Sequence, residues 1–254
     1  MTLPLLLLPG LMCDRAVWTE VMELLGVERT ASVPDYGARD SLGGMAEDVL
    51  RAAPARFALA AHSMGGRVAL EMLRRAPERI AGLALLDTAT HARPAGEAGA
   101  REEAERVALL ELARTQGMHA MARRWAEPMV HPSRLADTAL MQAIHDMIAR
   151  KTPEIFAAQI CALLGRPDAG PLLPGIEVPA LVLCGREDSW APLSRHKAMA
   201  AAIPGARLVV VERSGHMAPM ERPDSVAEAF AQWLQAISGA EAARRPVAAH
   251  PAGA

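Results

Sequence analysis

Phe57-Ala58-Leu59-Ala60-Ala61-His62-Ser63-Met64-Gly65-Gly66-Arg67 is the stretch on which the reading of this chain turns. An apolar run of strand length ends abruptly in His62-Ser63-Met64-Gly65-Gly66, and an amphipathic run over residues 68–75 follows at once. The pattern is strand, tight turn, helix, with a serine at the tip. Such a turn holds the serine in strained backbone geometry. It needs small residues two places before and two after, here Ala61 and Gly65. The helix N-terminus behind it aims free backbone N–H groups at whatever the serine meets.

Working outward, the same alternation recurs. Residues 3–8 read as a strand buried on both faces, and Asp14 as the N-cap of a helix running to Leu25. Residues 27–33 form a second short strand that ends in the turn Pro34-Asp35-Tyr36-Gly37. Ser41 caps a helix reaching Ala52, and after Pro77 residues 80–86 make another buried strand, closing in Asp87-Thr88. Residues 178–184 and 206–211 are further strands, separated by a helix over 191–202 and followed by Ser214-Gly215-His216 and a helix over 223–237. Apolar strands alternating with helices predict a mostly parallel α/β sheet of about six or seven strands with helices on its faces. In such sheets the carboxyl ends of the strands share one rim, which here collects Leu11, Ser63 and Asp87.

Between residues 91 and 175 the alternation stops. Helical segments are predicted over 97–114, 117–126, 133–150 and 153–164, with prolines between them. The expected organisation is a core of residues 1–90 and 176–238, an inserted helical cap over 91–175, and a disordered tail over 239–254. Met118, Met121, Met129, Met141 and Met147 crowd the cap. They read either as helix packing or as an adaptable apolar roof for an acyl or alkyl group.

Composition narrows the function. With 254 residues, 51% of them hydrophobic, the chain can build a large core. A net charge of -2 without runs of like charge leaves no footprint for nucleic acid. No apolar run approaches a membrane span, and residues 3–8 lack the basic flank of a signal peptide. Cys13, Cys161 and Cys184 are sparse and uneven in number, which points to free thiols in a reducing compartment, the cytoplasm. No Cys/His spacing predicts a metal site, and no cofactor is expected.

The turn at Ser63 resembles the nucleophile elbow of the α/β-hydrolase family, usually G-x-S-x-G, with Ala61 in place of the first glycine. The resemblance runs from about residue 3 to 237. It is carried also by Gly185-Arg186-Glu187-Asp188 and by Ser214-Gly215-His216-Met217-Ala218-Pro219-Met220-Glu221-Arg222-Pro223. It implies a triad in the chain order Ser63, Asp188, His216. Serine needs a base to take its proton, histidine can serve near neutral pH, and the aspartate orients the imidazole. The resemblance also implies two backbone N–H donors for the developing oxyanion, from Met64 and from the loop at Leu11, where Pro9-Gly10 replaces the family's His-Gly. The family's leading hairpin ahead of Leu3 is expected to be missing.

Asp87, at another strand end, is a rival for the acid. His62 is expected to pack or hydrogen-bond beside the pocket, Arg166 and Asp168 to form an ion pair at the cap's return, and Cys13 to be a small apolar filler. Trp125 and Trp190 fit either pocket wall or core. The function expected is hydrolysis of a small carboxylic ester through an acyl-enzyme, with a small-molecule substrate as the only partner and the oligomeric state open. Serine rather than aspartate at position 63 excludes the haloalkane dehalogenases and epoxide hydrolases of this fold. Carbon–carbon hydrolases, enol-lactonases and perhydrolases stay open, as does a non-catalytic ligand-binding protein. An aromatic content of 3% argues against a sugar-binding platform.

Overall fold

The computed structural model describes residues 3–27 and 30–244. Its elements are, in order, β1 (Leu5–Leu8), α1 (Thr19–Leu25), β2 (Ala31–Ser32), α2 (Leu42–Ala52), β3 (Phe57–His62), α3 (Met64–Arg75), β4 (Ile80–Leu86), α4 (Gly96–Gln116), α5 (Met118–Ala126), α6 (Thr138–Ala149), α7 (Pro153–Leu164), β5 (Ala180–Gly185), α8 (Leu193–Ala202), β6 (Arg207–Val211), α9 (Ala218–Glu221) and α10 (Pro223–Arg244). The strands form one parallel sheet in the order β2-β1-β3-β4-β5-β6. After β1 the chain first pairs outward with β2, then returns to the other side of β1 with β3. The strand order therefore reverses between β1 and β3, where open parallel sheets leave a crevice. Ser63 follows β3 at that point.

Every residue of β1, β3, β4 and β5 is buried, which accounts for their continuous apolar sequence. Leu7 and Leu8 are fully enclosed, each worth about 2 kcal/mol of transfer free energy. β6 is the exception: its first four residues are partly or fully exposed, as befits an edge. α1 packs against α10, and α2 against α3.

Several expected boundaries shift. The strand expected over 27–33 is reduced to Ala31–Ser32, and Glu28 and Arg29 of that stretch lie outside the described residues. The first helix divides into a 3-10 turn, Arg15–Trp18, started by the Asp14 carboxylate accepting from the Ala16 N–H, and then α1. The helix expected over 133–150 begins only at Thr138, where Asp137 accepts from the Leu140 N–H. The tail expected to be disordered from residue 239 is helical as far as Arg244. The three alanines of residues 239–244, Glu241 and Arg244 are good helix formers and need no apolar stripe, and Glu241 pairs with Arg56 at 2.8 Å. Residues 245–254 lie outside the described residues. Between β4 and β5 the described residues form helices and 3-10 turns and no strand. No described helix is long and apolar enough to cross a membrane.

Candidate active site

Ser63 sits at φ 52°, ψ −118°, a conformation that side-chain-bearing residues rarely adopt. Its backbone is fixed on both sides: its N–H donates to Leu86 O at 2.9 Å, and its carbonyl accepts from Thr88 Oγ1 at 2.7 Å. Gly65 is required because a Cβ there would stand 2.6 Å from both Leu8 O and Pro9 O, backbone atoms that cannot swing away. The turn is thus wedged against the end of β1.

Three distant residues converge on this turn. Ser63 Oγ lies 2.8 Å from His216 Nε2, and His216 Nδ1 lies 2.8 Å from Asp188 Oδ2. Asp188 Oδ1 accepts from the N–H groups of Trp190 and Ala191, both at 2.9 Å. Burial pushes the Asp188 carboxyl up, but His216 and these donors outweigh it and hold the group below its ordinary value. It is therefore an anion beside the imidazole.

Asp87, the rival, makes no hydrogen bond to His216 among the described residues. One oxygen accepts from the Gly185 N–H at 2.9 Å; the other has no partner and stands 3.9 Å from His62 Nε2. Burial and the neighbouring Asp188 push its carboxyl well above the ordinary range. His62 donates from Nε2 to the His216 carbonyl at 2.8 Å. Burial and the nearby His216 push its pKa down to about 3, so it is uncharged.

Leu11 and Met64 both line the cavity that holds Ser63, and among the described residues neither backbone N–H has a protein acceptor. The loop carrying Leu11 is tied down by two residues that the sequence did not single out. Gln159 of α7 accepts from the Met12 N–H at 3.0 Å and donates to Gly37 O at 3.1 Å, and Tyr36 Oη donates to Pro9 O at 3.3 Å. Glu221 is the third residue missed. Although buried, its carboxylate collects the N–H groups of Gly215 (2.8 Å), Met217 (3.3 Å) and His131 (2.7 Å). It stood inside a quoted motif, but nothing in the pattern said what it touches. The His216 N–H donates to Met129 O at 2.6 Å, so the loop bearing the imidazole is fastened to the helical stretch above it.

The cavity above Ser63 has a volume of about 1330 Å³. Trp190 and Trp125 form part of its wall, their rings stacked at 5.6 Å, with Trp190 5.0 Å from the His216 ring. Of the five clustered methionines only Met129 lines it; Met121 and Met147 are buried in helix packing and Met118 and Met141 pack against that core. Arg166 does not pair with Asp168 but grips Glu102 with two bonds of 2.6 and 2.7 Å, because α4 and not the local turn lies against it; Asp168 instead accepts from the Gly170 N–H. Cys13 lines the cavity as a protonated thiol, pushed up to about 12 by burial. No group of three or more His, Cys, Asp or Glu side chains that could hold a metal occurs among the described residues.

Comparison with known proteins places the chain in a family. The chain is 29% identical over 241 residues to a pimeloyl-acyl-carrier protein methyl ester esterase of Nitrosomonas europaea, covering 89% of this chain and 93% of that one. Among solved structures, a thermophilic esterase from Thermogutta terrifontis superposes with a TM-score of 0.82 at 31% identity, covering 92% and 90% of the two chains. An enol-lactonase from Burkholderia xenovorans superposes at 0.75 and 25% identity, covering 92% of each. The model of the alpha/beta hydrolase family matches residues 5–229, from β1 into α10. By its sheet, its elbow and that match, the chain belongs to the alpha/beta hydrolase family.

Proposed function

We propose that the protein is a serine hydrolase that cleaves small carboxylic esters through an acyl-enzyme. One observation carries the reading: an unbroken chain of 2.8 Å contacts from Ser63 Oγ through His216 to an ionised Asp188, open to a large cavity. In the first half-reaction Ser63 Oγ attacks the ester carbonyl carbon and its proton passes to His216 Nε2. The carbonyl oxygen becomes an oxyanion facing the N–H groups of Leu11 and Met64, each worth about 3 kcal/mol of barrier in comparable sites. Collapse breaks the bond to the alkoxy oxygen, which leaves as alcohol with the proton from His216. Water then attacks the acyl carbon, giving its proton to His216, and the acid departs as Ser63 is reprotonated. Asp188 holds the Nδ1–H tautomer throughout and steadies the imidazolium.

A reducing compartment, the cytoplasm, fits the three free cysteines. The test is turnover of short-chain nitrophenyl esters together with labelling by a fluorophosphonate. Wild type should hydrolyse the esters and take the label at Ser63, and Ser63→Ala should lose at least about 10³-fold in kcat and all labelling. Wild type that does neither would return the chain to a ligand-binding role. Enol-lactone hydrolysis is the second reading, supported by the likeness to the Burkholderia xenovorans enzyme. The same attack would open a ring, leaving both products on one molecule, and a lactone in the same panel separates the two.

A further inference from the structure

One wall of the cavity carries more positive charge than its own carboxylates neutralise. Arg67 lies on α3 one helical turn beyond Ser63, about 6 Å along the axis, and lines the same cavity. Among the described residues its guanidinium has one hydrogen-bond partner, the carbonyl of His91 at 2.8 Å. Arg166, Arg106 and Arg195 stand on the same wall. Glu102 is shared between Arg166 and Arg106, and Arg195 has no carboxylate partner among the described residues. Arg166 is 7% exposed, and its Nε is buried with no acceptor. Glu105, exposed on α4, reduces the imbalance without removing it. The other carboxylates of the cavity are placed elsewhere: Glu187 is bound to the Ser214 N–H, Glu127 follows α5, whose Arg124 also lines the cavity, and Asp87 accepts from the Gly185 N–H at the end of β5.

The electrostatics follow from this grouping. Burial first, and then Arg166, push the Arg67 guanidinium down to about 9, with Arg106 and Arg195 adding to the effect. His91 beside them is lowered by burial and by Arg195, Arg67 and Arg166. Guanidiniums held this close, partly desolvated and with unused N–H groups, favour an anion among them, and a carboxylate matches their planar fork.

We propose that the substrate is an ester whose acyl part ends in a second, anionic group, a carboxylate, received by Arg67, Arg166 and Arg195 while the ester carbonyl meets Ser63. The inference rests on the hydrolase reading above and names its substrate class: half-esters of short dicarboxylic acids rather than plain alkyl esters.

The experiment compares methyl hydrogen glutarate and methyl hydrogen adipate with methyl valerate and methyl hexanoate, uncharged esters of the same acyl length. The half-esters should show kcat/KM at least about tenfold higher at low salt, and the advantage should shrink as ionic strength rises. Arg67→Gln should lower the ratio of charged to uncharged kcat/KM about tenfold or more, the scale of one charge-assisted contact. Arg195→Gln, at an exposed position that tolerates change, should lower the same ratio if Arg67→Gln does not fold. In parallel, methyl hydrogen glutarate is titrated calorimetrically into Ser63→Ala with and without Arg195→Gln. Equal use of charged and uncharged esters, unmoved by either arginine change, overturns the inference and leaves the esterase reading intact. Binding of the half-ester that depends on Arg195, without turnover of any ester by wild type, supports the anion site and sinks the esterase reading. Neither turnover nor binding ends both.

Discussion

At the rim of the sheet, functional atoms are placed by backbone. Ser63 is fixed by a strained φ, by its two main-chain bonds and by the contact of Gly65 with the end of β1. In the helical stretch above it, placement depends on a few polar side chains. Gln159 reaches down to Met12 and Gly37, Lys151 to Asp35 at 2.6 Å, Arg150 to Asp14 at 2.8 Å, and Arg166 binds sideways to Glu102. The difference teaches where each kind of change will act. A rim defect misplaces reacting atoms, which chemistry tolerates poorly, whereas a defect in the roof alters docking and stability by smaller steps.

The largest effects should separate two carboxylates of the rim. Asp188→Asn should cut kcat for a nitrophenyl ester about 10⁴-fold, because the amide favours the wrong imidazole tautomer. Asp87 stands outside the hydrogen-bond chain of Ser63, His216 and Asp188, so Asp87→Asn should stay within about threefold. Equal losses would mean that the two strand ends are not distinct. Gly65→Ala comes next, since its methyl would meet two fixed carbonyl oxygens. It should lose about 100-fold in kcat and about 2–3 kcal/mol of stability in urea unfolding.

The contacts between rim and roof should cost less. Glu221→Gln leaves one of three N–H groups facing an amide NH₂, so about tenfold in kcat and about 1–3 kcal/mol are expected. Gln159→Leu orphans the buried Met12 N–H; it should destabilise by about 1–2 kcal/mol and slow turnover only a few-fold. A roof variant as damaging as Asp188→Asn would erase the contrast.

The smallest effect is a pH dependence with two windows. His62 is kept neutral, its pKa moved from 6.5 down to about 3, so the unfolded chain binds the proton first. Its contribution is present above pH 6.5 and is lost as pH falls toward 3. Glu102 feels burial raising its pKa and the arginines lowering it further, to about 2 from 4.5. Its contribution stands above pH 4.5 and disappears toward pH 2. Urea midpoints measured from pH 7.5 to 2.5 should show both, His62→Gln flattening the upper window and Glu102→Gln the lower.

Most of the rim was legible in the sequence because its determinants are local. An apolar strand, a small-residue turn and a helix start leave their mark within ten residues, as at Ser63. The roof was legible only as helices. Gln159 and Glu221 act across 147 and 90 residues, and no periodicity records such a partner. The expected Arg166–Asp168 pair failed for the same reason: proximity in sequence was mistaken for contact, and the true partner is 64 residues away. The tail beyond Gly239 was misjudged because helix propensity and a distant ion pair act without an apolar stripe.

The bond from the His216 N–H to Met129 O, with the Glu221 carboxylate bridging Gly215 and His131, makes the base a suspended part whose anchor is the roof. Any substitution that displaces residues 129–131 therefore also displaces the imidazole that hangs from them. The aim of the proton acceptor is thus inherited from a stretch about 85 residues upstream that carries none of the three reacting groups.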